Sequence, residues 1–125
     1  MKVAIFGATG AIGSFLIVTI AAKEPSWKIL AVSRSGTKTS SRIASMSYPN
    51  LEIIQGDAEN LESVLEITRD VDIVYSCVGF PKYEAKYWAI HWPIVVKNLL
   101  EANQQYKNKL VFCDNLYAYG PGTNI

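Results

Sequence analysis

The chain has 125 residues, half of them hydrophobic, with 12 Lys and Arg against 11 Asp and Glu for a formal net charge of +1. That length suits one domain with a real core, and the balanced charge gives no electrostatic reason to expect nucleic acid or a membrane surface as partner. No apolar stretch approaches the ~18 residues that span a bilayer, and the amino terminus lacks the basic flank and apolar core of a signal peptide, so a cytoplasmic setting and a small-molecule ligand are expected.

A short β-branched run, a turn and a segment of helical spacing recur along the chain. Val3 to Phe6 predicts a first strand, and Ala11 to Ala22 a helix with Ile12, Phe15, Leu16, Thr19 and Ile20 on its inward face, stopped by Pro25. Lys28 to Val32 and Leu51 to Gln55 predict the second and third strands, separated by a Ser- and Thr-rich loop with at most a short helix. Asn60 to Thr68 predicts a helix with Leu61, Val64, Leu65 and Thr68 inward. Val71 to Cys77 is expected as the fourth strand, Lys86 to Gln105 as a long helix despite Pro93, and Leu110 to Cys113 as the fifth strand.

Strands alternating with helices imply an α/β fold, a doubly wound parallel sheet of order 3-2-1-4-5 with helices on both faces. Strands one, four and five are almost wholly apolar, as when both sheet faces are covered. Cys77 and Cys113 match no metal-ligand spacing, so reduced, buried thiols are expected and no metal site.

The turn after the first strand carries Gly7, Gly10 and Gly13 in "GATGAIG". A corner that enters a helix at once needs unusual backbone angles at its first glycine. At the second, a missing side chain lets a pyrophosphate reach the helix amides, and at the third it lets helix and sheet pack closely. This is the logic of a dinucleotide site, placed between strand and helix as that motif requires. No Lys-Ser or Lys-Thr pair follows, which excludes the phosphate loop of nucleotidases. After the second strand, where an NAD site places a carboxylate, the chain reads Ser33, Arg34, Ser35, with Thr37, Lys38 and Arg42 beyond. A guanidinium and hydroxyls suit a 2′-phosphate. NADP(H) is therefore expected ahead of NAD(H), the alternative being that Arg34 and Lys38 only solvate a loop.

"GATGAIG", "QGDAEN" after the third strand, "SCVG" after the fourth and "NLYAYGPG" after the fifth, taken in order, resemble the extended and atypical short-chain dehydrogenase/reductases, the group containing nucleotide-sugar epimerases and dehydratases. The resemblance implies a Rossmann-type NAD(P)-binding domain over residues 1–125, the amino-terminal portion of a longer enzyme. It puts Gly7, Thr9, Gly10, Ala11, Ile12 and Gly13 on the pyrophosphate loop, Asp57 and Ala58 at the adenine, and Cys77, Val78 and Gly79 beside the nicotinamide ribose. For Asp57 the competing role is a helix N-terminal residue stabilised by the dipole.

In the resembled group a Ser or Thr ends the fifth strand and a Tyr-x-x-x-Lys pair follows, the lysine lowering the tyrosine pKa. Here Asn115 stands at the hydroxyl position behind Asp114, and Tyr83, Tyr87 and their successors form no such pair. The chain is thus expected to belong to a longer enzyme that moves a hydride to or from a small carbonyl or hydroxyl, such as a nucleotide sugar. The alternative is a non-catalytic NADP(H)-binding redox sensor. Asp114, Asn115 and Tyr117 are candidates for substrate contact, with core or turn roles as the alternative. His91 is either a proton carrier or a packed residue. Trp88, Trp92 and Tyr87 are expected in the core or in an oligomer contact, and the resemblance implies a homodimer.

Overall fold

The computed structural model describes residues 1–36 and 42–114. Five strands, β1 (Lys2–Phe6), β2 (Lys28–Ser33), β3 (Leu51–Gln55), β4 (Ile73–Ser76) and β5 (Lys109–Phe112), form one parallel sheet in the order β3-β2-β1-β4-β5. The long helices are α1 (Ala11–Lys23), α2 (Leu61–Thr68) and α3 (Ala85–Tyr106), and a 3-10 turn spans Arg42–Ser45. Order and element types are those expected, with ends shifted by one or two residues.

Parallel pairing forces each connection back across the sheet, and the order reverses at β1, so the helices divide between the faces. On one face Val3 and Ile5 pack with Ile17 and Ile20 of α1; on the other Ala4 and Phe6 pack with Val64 of α2 and Val95 and Leu99 of α3. The period of two along β1 thus feeds two cores, which is why its run is apolar throughout.

Helix α1 buries Ile20 and packs Leu16 against the core as expected, but its amino-terminal half is turned away from the predicted face. Ile12 and Phe15 are 60% and 69% exposed, while Gly13, Ser14, Ile17, Ile20 and Ala21 are buried. Gly13 decides this: a Cβ there would stand 2.2 Å from the Gly7 carbonyl oxygen, so the helix reaches the sheet only with Gly13 against that turn. Residues one and two helical turns further along, at 17, 20 and 21, then share the buried side.

Asn60 caps α2, its side-chain oxygen accepting from the Ser63 N–H at 3.0 Å. Helix α3 runs through Pro93, whose local cost of roughly 3 kcal/mol is offset by the burial of Val95, Leu99 and Ala102. Buried Asn98 donates from Nδ2 to the Ala58 carbonyl at 3.0 Å, tying α3 to the loop after β3. Asn98→Leu would leave that carbonyl without its partner and is expected to cost about 1–3 kcal/mol. Urea unfolding should show it as a lower midpoint with an unchanged slope.

Strand β5 departs from the expectation of two covered faces. Val111 and Phe112 are 37% and 36% exposed: α1 packs mainly on β1 and β2, away from the Val111 side of β5, while α3 packs on the side of Phe112 and covers it only in part. The thiols follow suit: both are free, but Cys77 is half-buried and Cys113 exposed, where burial of both was expected. Among the described residues no helix is long and apolar enough to cross a membrane, and no cluster of His, Cys, Asp and Glu could hold a metal ion.

Candidate functional site

The site grows from the turn between β1 and α1. Gly7 has φ of +77°, and a Cβ on it would lie 2.3 Å from the Cys77 carbonyl oxygen, so both backbone angle and neighbouring strand demand glycine. Gly10 is the N-cap of α1; its N–H donates to the Gly7 carbonyl at 3.2 Å, and it makes no side-chain cap bond. No acidic residue in the first turn of α1 offsets the positive end of its dipole. Around a Cβ added to Gly10 the nearest atom is the Gly7 oxygen at 3.5 Å, and around one on Gly79 nothing lies within 4 Å. Gly7 and Gly13 therefore close the packing, whereas Gly10 and Gly79 keep space open.

That space is a groove along the carboxyl ends of the strands, at the point where the strand order reverses. Its larger part, about 860 Å³, is lined by Gly7, Thr9, Gly10, Ala11 and Ile12, by Cys77, Val78 and Gly79, and by an aromatic wall including Phe80, Trp88, Trp92 and Phe112, with Asp114. The smaller part, about 120 Å³, shares Gly7, Thr9, Val78 and Gly79 and reaches Ser33, Arg34, Asp57, Ala58 and Glu59. Two expected residues lie behind it. Gly13 packs against the Gly7 turn, and Ser35 bonds to Ser33, Oγ to Oγ at 3.2 Å. Asn115, Tyr117, Thr37 and Lys38 lie outside the described residues.

Asp57 sits on the rim, its Oδ1 accepting from the Glu59 N–H at 2.9 Å and its own N–H donating to Ser63 Oγ at 3.0 Å. Asn60, not Asp57, provides the side-chain cap of α2, and Asp57 accepts from the Asn60 N–H through its own carbonyl at 3.0 Å. Arg34 reaches the smaller part from an exposed turn whose carbonyl accepts from Gln55 Nε2 at 3.1 Å. Burial, with a smaller contribution from nearby Cys113, pushes the Cys77 thiol up to about 11.

His91 lines neither part of the groove. Its ring stacks on Tyr87 at 3.9 Å between centroids, beside Phe80, and its Nδ1 bonds to Glu59 Oε1. It therefore ties α3 to the same loop that Asn98 holds. Phe80, Trp92 and Phe112 were not singled out as groove residues by sequence; "SCVGF" places Phe80 directly after the fourth-strand motif, which is the one signal that could have found it.

The NmrA-like family model matches residues 1–89. No curated protein matches the sequence. Among solved structures the chain is similar to a dTDP-glucose 4,6-dehydratase from Bacillus anthracis in complex with NAD, at 22% identity over 100% of this chain and 41% of that one, TM-score 0.79. It is similar to a UDP-glucose 4-epimerase from Thermotoga maritima solved with UDP-glucose, at 18% identity over 100% and 41%, TM-score 0.77. A Rossmann-fold NAD(P)-binding family protein from Shigella flexneri matches at 23% identity over 87% and 49%, TM-score 0.69. At these identities the similarity is one of fold, and the chain spans less than half the length of each.

Proposed function

Because the chain belongs to the NmrA-like family, we propose that it binds a nicotinamide adenine dinucleotide, NADP(H) ahead of NAD(H), as the nucleotide-binding portion of an oxidoreductase, epimerase or dehydratase. The observation that carries this reading is the turn at Gly10, where the absence of a side chain leaves the uncapped amino end of α1 open to the groove. The amides of Ala11 and Ile12 would hold the pyrophosphate there. Asp57 and Ala58 would meet the adenine in the smaller part of the groove, and Cys77, Val78 and Gly79 would pass beside the nicotinamide ribose in the larger. The bound dinucleotide would carry the hydride exchanged with a small carbonyl or hydroxyl compound, and the chain holds and orients it. A homodimer through α3, whose Ile90 and Leu100 are exposed, and a cytoplasmic setting complete the reading.

The preference for NADP(H) rests on Arg34 at the edge of the smaller part of the groove, with Ser33 beside it. A guanidinium there would take the 2′-phosphate by charge-assisted hydrogen bonds worth about 1.5–3 kcal/mol. In calorimetric titrations, Arg34→Ala should weaken NADPH about tenfold or more and leave NADH unchanged. Equal binding of both nucleotides by the unaltered chain would overturn the phosphate assignment, and binding of neither would overturn the nucleotide site.

A further inference from the structure

Two cysteines 36 positions apart in the chain meet at the end of the sheet. The β4 and β5 register pairs Tyr75 with Val111 and Ser76 with Phe112, and the Cys113 N–H continues the ladder to the Ser76 carbonyl at 2.9 Å. The next step pairs Cys77 with Cys113. Side chains alternate between faces along a strand: the Phe112 ring approaches Trp92 of α3 at 6.1 Å, so Cys113 points to the opposite face. Cys77 is on that same face, packed with Tyr75 in the α1-side core. Neighbouring strands lie roughly 4.8 Å apart, within the Cα separations of about 4.4–6.8 Å that a disulfide bridges. Cys113 lies one residue beyond the end of β5, which pairs only with β4 among the described residues, so the small approach of the two sulfurs meets little resistance.

We propose that Cys77 and Cys113 are a reversible dithiol–disulfide pair on the wall of the larger part of the groove, oxidised by a peroxide. The exposed Cys113 reacts first. Its thiolate sulfur attacks one oxygen of hydrogen peroxide and the O–O bond breaks, giving Cys113 sulfenic acid and a hydroxide that takes up a proton to become water. The Cys77 sulfur then attacks the Cys113 sulfur; the S–O bond breaks, and the departing hydroxide leaves as water with the Cys77 proton. Two thiols and one peroxide thus become one disulfide and two waters, with two electrons passing from sulfur to oxygen. Burial keeps Cys77 protonated at neutral pH, which protects it from direct attack and assigns it the resolving role. Both residues line the groove, so on the nucleotide-binding reading the disulfide and a bound nicotinamide compete for one wall, and oxidation weakens binding.

Intact mass and thiol counting after stoichiometric hydrogen peroxide test the pair directly on the unaltered chain, Cys77→Ser and Cys113→Ser. The unaltered chain should lose two hydrogens and both reactive thiols, stay monomolecular on a non-reducing gel, and recover both with a reductant. Cys77→Ser should instead gain one oxygen, trapped by dimedone at Cys113, and Cys113→Ser should react several-fold more slowly. Added oxygens without loss of two hydrogens, or disulfide-linked dimers in place of the internal bridge, would overturn the pair. NADPH titration of the reduced and oxidised chain then reads the coupling, expected as a several-fold weaker affinity after oxidation. Equal affinity would overturn the coupling alone, and failure of the reduced chain to bind NADPH would strike the nucleotide reading, while the mass result still decides the pair.

Discussion

Gly7→Ala is expected to lower stability by about 3–5 kcal/mol, roughly a fifth or more of what a domain of this size commonly has. Two independent costs add. At φ of +77° an L-residue sits in the left-handed region, which costs roughly 1–2 kcal/mol. The new methyl would also lie 2.3 Å from the Cys77 oxygen, 2.4 Å from its carbonyl carbon and 2.7 Å from the Val78 nitrogen. All three are backbone atoms, so no side chain can swing away. The Cys77 N–H donates to the Phe6 carbonyl at 2.9 Å, and relief of the clash would have to part β4 from β1 at the centre of the sheet. Urea unfolding followed by circular dichroism measures the loss; a midpoint equal to that of the unaltered chain would mean that this turn is not packed as described.

The same turn shows why some of the molecule was legible in the sequence and some was not. Strand order and the division of roles among Gly7, Gly10 and Gly13 follow from local pattern, because an apolar run, a glycine spacing and a helical period are all written in consecutive residues. The rotation of α1 is not. Its sequence carries Ile12, Phe15, Leu16 and Thr19 on one side and Gly13, Ser14, Ile17 and Ala21 on another, and the bulk at 12, 15 and 16 favours the first. The close approach of Gly13 to the Gly7 carbonyl selects the second, and that is a contact between elements. "LVFC" likewise reads as a covered strand, yet Val111 and Cys113 are exposed because α1 packs mainly on β1 and β2. His91 could equally have faced the groove; its bond to Glu59, 32 residues earlier, depends on how α3 lies over the β3–α2 loop. The Cys77 and Cys113 pairing is legible only once β4 and β5 are known to be neighbours in register.

Gly10→Val should do the reverse of Gly7→Ala, sparing the fold and weakening nucleotide binding about a hundredfold. Gly10 has φ of −76° and ψ of 173°, extended backbone that any residue adopts. Its added Cβ would meet only the Gly7 oxygen, at an ordinary contact distance of 3.5 Å. The loss of a favourable N-cap residue costs about 1 kcal/mol, a fall in Tm of roughly 3–5 °C for a chain of this length. The valine side chain, however, would stand in the groove against the first turn of α1, where a pyrophosphate must come within hydrogen-bond distance of the Ala11 and Ile12 amides. Forfeiting one or two charge-assisted hydrogen bonds amounts to ~2.7 kcal/mol, or a hundredfold in affinity for NADPH and NADH alike. The equal effect on both nucleotides distinguishes this change from Arg34→Ala, which acts only through the 2′-phosphate. A Gly10→Val chain that melts like the unaltered one and still binds NADPH undiminished would move the dinucleotide away from this turn altogether, because a pyrophosphate on the Ala11 and Ile12 amides and a side chain at position 10 claim the same space at the first turn of α1.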